Sequence, residues 1–579
     1  MMFKKKYFIA LCISVFLIQI PAKAQMYVGP NTYVYSSNQF VYIKQDLELK
    51  ETSSNFYLRN DGQLLQGTLG TGANKGVGIL SVFQEGNANN FQYNYWCSPV
   101  GNTLSSTAIN NPFGIKQLGV PSSITETTPA IILAVNIFDG TASPFKIAPY
   151  WIYKFINKTT NSGWVQATST PTIAPGEGFT MKGSAGTDLT IIDGVQNNPD
   201  SYQQRYDFRG KPNDGTIAIP VLPEEITLTG NPYPSAINLQ DFLISETNCT
   251  GIAYFWQNDK TLNSHFVSDY KGGYATYSGS NIYVPAPFFS YDGTGAAITS
   301  IKNNAPIYSR KYSPIGQGFM IKGLVKGNVN MKNSYRLFRK EDFNSQLDKI
   351  STTDTTSMIR FNTLLNNGPI SQTVLAFNPL STDGIDRYMD ASSQNDYPVN
   401  VYFLISNKEY IINSIAFDIN KKIAIGFRST SPANYKITVN EILNLPEVIN
   451  VYLHDKTTDI YYDIKNSFYE LNLPAGATNT RYEITFKNNT LTVGEITQNN
   501  FILVQNNNEK ILTIQNPFQK EINNYSIYDI TGKFIANKNN LGNELSYLFP
   551  TSNFPTGIYI VKITSDDKLE EGQKIIIQN

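Results

Sequence analysis

The sequence predicts an all-β protein made of several sandwich-like domains in tandem, and three observations carry that reading. Short runs alternate apolar with polar residues almost throughout; aromatics reach 13% of the chain; and charged residues make up only 16%, against about 25% in ordinary globular proteins. With so few charges, the surfaces must be covered mainly by Asn, Ser, Thr, Gln and Tyr, which suits an extracellular β-protein. The 579 residues leave room for roughly three to five domains. Lys plus Arg and Asp plus Glu are 46 each, so no net field draws a polyanion, and nucleic acid is not an expected partner.

At the N-terminus, Lys4, Lys5 and Lys6 precede an apolar run from Tyr7 to Ile20, and Ala22-Lys23-Ala24 follows with small residues at the two positions a signal peptidase reads. Residues 1–24 are therefore expected to be a signal peptide cleaved after Ala24, with Ala22 and Ala24 as cleavage residues and Cys12 inside the apolar run. That run is shorter than the ~20 apolar residues that cross a bilayer. No later stretch offers 18 consecutive apolar residues, so no transmembrane span is expected. The other two cysteines, Cys97 and Cys249, are candidates for one bridge that spacing along a chain neither requires nor excludes.

Residues 25–90 read as stacked short strands or hairpins. In FVYIKQDLEL, Val41, Ile43, Leu47 and Leu49 fall on one side of an extended chain, and NFYLRNDGQLLQG repeats the pattern around Asp61-Gly62. A loose duplication follows. YWCSPVGN (95–102) precedes PGEGFTMKG (175–183), and LTGNPYPSAIN (228–238) precedes IGQGFMIKG (315–323), implying two related β-domains over 91–225 and 226–335. The Gly-x-Gly pairs lead into strands rather than helices, so they read as turns and close approaches, not as a phosphate-cradling loop. The polar run over 336–356 reads as a linker. Beyond it, about seven strand candidates over 357–490 suggest a two-sheet sandwich, with one short helix-like piece at EILNLPEVI limited by Pro446. Seven further strands over 499–579 predict a small Ig-like sandwich, its central hairpin turning at Thr531-Gly532.

Catalytic chemistry is sparse. The only two histidines, His265 and His454, read as structural or solvent-facing; no Gly-x-Ser-x-Gly elbow accompanies them, and no His or Cys stands at zinc spacing. Asp139-Gly140 and Asp292-Gly293 read as tight turns rather than calcium loops. No metal and no cofactor are expected. Of the many aromatics, Tyr150, Trp151, Tyr153, Tyr254, Phe255 and Trp256 read mostly as core. Trp151 and Trp256, with Tyr270 and Tyr274 from the loop-like stretch Gln257 to Gly279, are the candidates for contact with a ligand.

The last unit resembles the C-terminal sorting domain of proteins exported by the type IX secretion system of Bacteroidota. The likeness rests on QNP (515–517), IYDITGK (527–533), FPTSNFPTGIYIVKI (549–563) and the ending KIIIQN. It implies a β-sandwich recognised by the outer-membrane export machinery, with Asn516, Pro517, Tyr528, Asp529, Gly532, Lys533, Gly557 and Tyr559 carrying the export signal. The rest is similar to multi-domain surface proteins of flavobacteria, through NTYVY, FYLRNDGQLLQG, LTGNPYPSAI and RYEITFKN. Asp354-Thr355-Thr356 resembles the O-glycosylation acceptor of that phylum, with Thr355 as acceptor. The expectation is a secreted or surface-displayed, non-enzymatic β-protein, an adhesin or matrix component contacting a surface glycan or a host or matrix partner. The alternative is a carbohydrate-binding or carbohydrate-degrading surface protein.

Overall fold

Parallel pairing organises the first 60 described residues. The strands Met26–Val28, Leu47–Leu49 and Lys75–Gly76 stack parallel, as do Tyr33–Ser37, Asn55–Arg59 and Ile79–Glu85, and Phe40–Ile43 with Gln63–Gln66. The chain thus winds as a short three-sided parallel coil, with Val28, Ile43, Leu47, Leu49, Phe56, Leu58 and Leu64 inside. The stacked strands of the sequence reading are present, and Ile43, Leu47 and Leu49 do share the buried side, but neighbours pair across about 22 residues rather than in hairpins. Asn60 and Asp61 turn a corner of the coil at φ 44° and 61°, and Asn38 does the same one coil earlier at φ 61°. A Cβ on Gly62 would lie 2.6 Å from the Ser36 carbonyl oxygen, so only Gly fits that corner.

The computed structural model describes residues 25–68, 72–167, 173–291, 297–304 (backbone only), 308–340, 356–446, 449–488, 501–566 and 570–579. The expected cleavage residues Ala22 and Ala24, the acceptor Thr355 and the Asp292-Gly293 pair lie outside them.

The strand Ile79–Glu85 leaves the coil and pairs antiparallel with Arg205–Pro212, so one seven-stranded sheet continues across the boundary drawn near residue 90. Apolar residues from Val28 to Phe208 form a single core beneath it. The duplication is visible as two antiparallel strand pairs in the same register: Tyr93–Cys97 with Gly178–Lys182, where Cys97 faces Gly178, and Ile226–Gly230 with Gly318–Gly323, where Gly230 faces Gly318. The two units interlock at these pairs. The Cys97 amide donates to the Gly316 carbonyl at 2.8 Å, and the Thr229 hydroxyl donates to the Gly176 carbonyl at 2.7 Å. Gly176 and Gly316 take φ of +82° and +76°, and a Cβ on Gly178 would come within 2.6 Å of the Thr229 carbonyl oxygen. The glycines are therefore turn and close-approach positions, as their strand context predicts.

The run expected to start a linker at Arg336 begins as structure. Arg336–Leu337 pairs with Ala236 and Ile237, and the buried Arg336 guanidinium donates to the Asp214 carboxylate at 3.0 Å. A buried charge is tolerable only when paired in this way. Residues 357–486 form two facing sheets: a five-stranded one carrying Ser357–Leu365 and Ala433–Leu443, and a six-stranded one carrying Val399–Ile405, Lys422–Ser429 and Gly476–Thr485. Between them lie Phe361, Leu375, Val401, Phe403, Ile425, Tyr435 and Ile484. In the helix-like EILNLPEVI piece, Glu441 to Leu443 are instead the end of Ala433–Leu443, where Leu443 pairs with Met358; tertiary pairing overrides local propensity there. Among the described residues the one α-helix is Leu239–Ser245, capped by the Asn238 side chain accepting from the Asp241 amide at 3.2 Å.

All seven strands expected at the C-terminus are present, as a three-stranded sheet (Ile502–Asn506, Ile511–Gln515, Ser546–Pro550) facing a four-stranded one (Ile522–Asp529, Phe534–Gly542, Gly557–Ser565, Glu570–Ile577) around their own core. This unit leans on the preceding sandwich through Phe468. The Tyr528 ring meets it edge-on at 4.8 Å and the Lys562 ammonium sits 4.0 Å above it.

Candidate functional site

Period-two alternation builds one wall of the site. On Gly178–Lys182, Phe179 and Met181 enter the core, which turns Thr180 and Lys182 to the opposite face. Lys182 lies directly across from Tyr93, whose strand likewise presents Tyr93 and Tyr95 on that face and sends Trp96 inward. The second unit supplies the facing wall. Trp256 and Tyr274 are cross-strand partners with rings 5.1 Å apart, and the Tyr274 hydroxyl meets the Tyr95 hydroxyl at 2.9 Å across the two units. The result is an aromatic seam between the duplicated units.

A loop from Asp259 to Tyr270 reaches over the seam from the second unit. The expected long loop, Gln257 to Gly279, is only this part; Lys271–Ser278 is a strand of the central sheet. Among the hydrogen bonds that clasp the loop to the first unit are Asn89 Nδ2 to Asn263 Oδ1 at 2.7 Å, Gln92 Nε2 to the Asp259 carbonyl at 3.4 Å, the Tyr202 hydroxyl to the Lys260 carbonyl at 3.0 Å, and the two bonds of His265. His265 Nδ1 is 3.0 Å from Lys182 Nζ and its Nε2 is 2.9 Å from Asp139 Oδ1. Its ring stacks on Trp151 at 5.0 Å. Lys182, 5% exposed, is caged by Trp151 at 3.5 Å and by Tyr93 and Tyr270 at 5.1 Å each. Burial pulls the Lys182 amine down to about 7, with Asp139 opposing, and burial also pulls the His265 imidazole down.

Beside the cage lies a shallow depression, partly open to solvent, whose enclosed room is only about 20 Å³, lined by Phe91, Tyr93, Trp256 and Tyr270 with Asp259 and Asp269 among its polar groups. Both carboxylates serve their own loop: Asp259 accepts from the Thr261 amide and hydroxyl, and Asp269 from the Ser264 hydroxyl at 2.6 Å. Of the four aromatic candidates, the structure brings Trp256 and Tyr270 to the depression and places Tyr274 behind Trp256. Trp151 is buried, 8% exposed, with its indole N–H donating to the Phe138 carbonyl at 2.7 Å, so it supports the cage and offers no open platform. Phe91, Tyr93, Lys182, Asp139 and His265 were not signalled as a group, because 126 residues separate Asp139 from His265. A repeated lysine in FTMKG and FMIKG was the one visible hint. Its second copy, Lys322, pairs instead with the Glu224 carboxylate.

The other histidine, His454, is buried and held between Glu483 at 2.8 Å and Asp459 at 2.9 Å. Cys97 and Cys249 are both buried and unbridged, and burial raises both thiols, Cys249 to about 11. Among the described residues no three of His, Cys, Asp and Glu gather to hold a metal, and no helix is long and apolar enough to cross a membrane.

The export-signal candidates lie at turns and strand ends of the last unit, with Tyr559 directly across from Asp529 in the sheet. Asn516, fully buried, closes its turn twice over Lys520, with Nδ2 donating to the carbonyl at 2.8 Å and Oδ1 accepting from the amide at 3.0 Å, while Pro517 in that turn is exposed. Asp529 Oδ1 accepts from the Thr531 amide, the Thr531 hydroxyl and the Lys533 amide, and Gly532 completes the hairpin at φ +82°. Lys533 is exposed, Gly557 opens its strand, and the Tyr559 hydroxyl donates to the Pro555 carbonyl at 2.7 Å.

Two family comparisons match this architecture. Residues 506–578 match the secretion system C-terminal sorting domain, which makes the chain a type IX secretion substrate that engages that machinery and is secreted or attached at the cell surface. No curated protein matches the chain. A second match runs unbroken over residues 136–486, from the first unit through the second into the sandwich. That continuity has a structural basis, since Phe155, Leu228, Tyr254, Met358, Val374 and Ile412 share one apolar cluster. Spanning more than half of the chain, this match shows that the protein belongs to the family described as Domain of unknown function (DUF8693), carried out of the cell by a sorting tail.

Proposed function

We propose that the exported body is a non-enzymatic binding protein of the cell surface or its surroundings, an adhesin or matrix component, and that the depression between the duplicated units is its recognition site. The observation that supports this is the placement of Trp256 and Tyr270 on a shallow, partly open depression whose walls come from the two interlocked units. Such a site is preorganised, so little ordering cost is incurred on binding. The two carboxylates at the depression already accept hydrogen bonds from their own loop, which favours holding a ligand over acid–base work on it.

A glycan is the ligand class the lining favours, because aromatic faces beside amide, hydroxyl and carboxylate groups suit a sugar's alternating C–H and O–H faces. The test is a glycan array probed with the secreted protein, its Trp256→Ala variant and its Tyr270→Ala variant. The proposal expects specific signals that both variants lose. Unchanged signals in the variants, or release of reducing ends from any bound polysaccharide, would contradict it.

A further inference from the structure

We propose that a cleft on the face of the seven-stranded sheet opposite its core binds a sugar acid, with Arg209 and Lys116 taking the carboxylate and Glu126 and Thr103 taking hydroxyls. The cleft holds about 420 Å³ and is partly open to solvent, within the roughly 300–1,000 Å³ of sites that take small ligands. Local structure sets its walls. On Arg205–Pro212, Tyr206 and Phe208 enter the core, so alternation turns Asp207 and Arg209 to the opposite face. Thr127–Pro129, which pairs with Leu118–Pro121 beside that strand, supplies Thr127 and Pro129. Lys116 comes from the 3₁₀ turn Ile115–Gln117, and Thr103 and Leu104 from the loop before it.

Two arginines serve the fully buried Asp207 carboxylate, and the difference between them marks the site. Arg59 is closed off: Nε donates to the Ile124 carbonyl at 2.7 Å, Nη1 to the Leu58 and Ser81 carbonyls at 2.7 and 2.9 Å, and Nη2 to the Ser81 hydroxyl at 2.9 Å, which itself donates to Asp207 Oδ1 at 2.7 Å. Arg209 uses only Nη1, which donates to the Thr127 hydroxyl at 3.1 Å and to Asp207 Oδ2 at 3.2 Å. Its Nε and Nη2 carry three N–H groups with no acceptor among the described residues, on a side chain 23% exposed at the cleft. An arginine present only to neutralise Asp207 would be enclosed as Arg59 is; this one is anchored at one nitrogen and leaves the others for a ligand.

Charge and lining select the ligand class. Lys116 is exposed and pairs with no carboxylate among the described residues, and Asp207 is shared between two guanidinium groups, so positive charge is in excess even with the Glu126 carboxylate in the lining. The remaining guanidinium N–H groups form a planar fork that matches a carboxylate. No aromatic ring lines the cleft, so a neutral sugar finds no stacking platform there. Ile79, Leu104 and Pro129 offer small apolar surfaces to C–H edges, and the Glu126 carboxylate accepts from hydroxyls while disfavouring a ligand that is carboxylate at every end. The site does not depend on what the depression between the duplicated units binds.

The test is isothermal titration calorimetry of the full secreted chain with trigalacturonate, maltotriose and glutarate as probes. Saturable binding of trigalacturonate is expected, about ten-fold or more tighter than that of the neutral sugar or the plain dicarboxylate, and weakening several-fold as salt is raised from about 50 to about 500 mM. Arg209→Lys keeps a charge over Asp207 but loses the fork, and should weaken binding about ten-fold; Lys116→Gln, at an exposed position, should weaken it roughly three-fold. Lys326→Gln makes the same charge change on an exposed turn of the second unit and should leave affinity unchanged. Absence of saturable trigalacturonate binding, equal affinity for maltotriose or glutarate, or an affinity that folded Arg209→Lys and Lys116→Gln variants leave unchanged overturns the proposal.

Discussion

Lys182 Nζ and His265 Nδ1 stand 3.0 Å apart although they belong to different units and lie 83 residues apart in sequence, and this bond ties the loop over the seam to the first unit. Around it, Asp139 contacts the imidazole, and the Tyr93 and Tyr270 hydroxyls are raised by burial and stay neutral. Both basic groups are held below their ordinary values. The unfolded chain therefore binds more protons than the folded one, between about pH 7 and 10 for Lys182 and around the ordinary imidazole range near 6.5 for His265. Stability conferred here grows as pH rises and is lost as pH falls, by at most about 1.4 kcal/mol per pH unit for each proton taken up. Urea midpoints measured from pH 5 to 9 should rise with pH, and that slope should flatten in Lys182→Met. Hydrogen-exchange protection factors over 259–270 should fall below pH 6, where two cations would face each other.

The interlock of the two units rests on glycines that cannot be replaced equally. A Cβ on Gly318 would lie 2.7 Å from the Tyr95 carbonyl carbon and 2.8 Å from the Trp96 amide nitrogen, backbone atoms that cannot swing aside. On Gly316 the nearest atom would be 3.4 Å away, leaving only the strain of φ +76°. Gly318→Ala is expected to cost about 3 kcal/mol and Gly316→Ala about 1 kcal/mol in chemical denaturation.

In the tail, Asp529→Ala removes an acceptor of three hydrogen bonds and Asn516→Ala removes both bonds that close a buried turn. Each is expected to destabilise the tail by about 1–3 kcal/mol. Immunoblots of culture medium should show less exported protein for both. The exposed Lys533 provides the contrast: Lys533→Ala should leave stability within about 0.5 kcal/mol.

Trp256 and Trp151 should behave differently on substitution. Trp256→Ala, at the depression, should lower ligand retention in affinity electrophoresis with little change in thermal midpoint. Trp151→Ala removes a buried ring that covers both Lys182 and His265, and should cost about 3–5 kcal/mol of stability.

The sandwich over 357–486 and the tail were legible because their strands alternate faces and are separated by polar turns, so local pattern and tertiary role agree. The coil at the N-terminus was legible only halfway. Alternation told which side of Ile43, Leu47 and Leu49 would be buried, but the same alternation serves a hairpin or a parallel coil, and the partner of Tyr33 is Asn55, a choice set by stacking. The duplication could be read from its glycines; that Cys97 faces Gly178 while its amide bonds to Gly316 could not. The candidate site was the least visible. His265 reads as an isolated histidine until the fold sets it between Asp139 and Lys182.

The tail's role as an export tag is the claim on which the protein's place of action depends. The most direct measurement compares how much of the chain reaches the medium and the outer surface, in cells with type IX secretion, when residues 501–579 are present and when they are deleted. Retention of the shortened chain inside the cell is the predicted result; its appearance outside in undiminished amount would contradict the account.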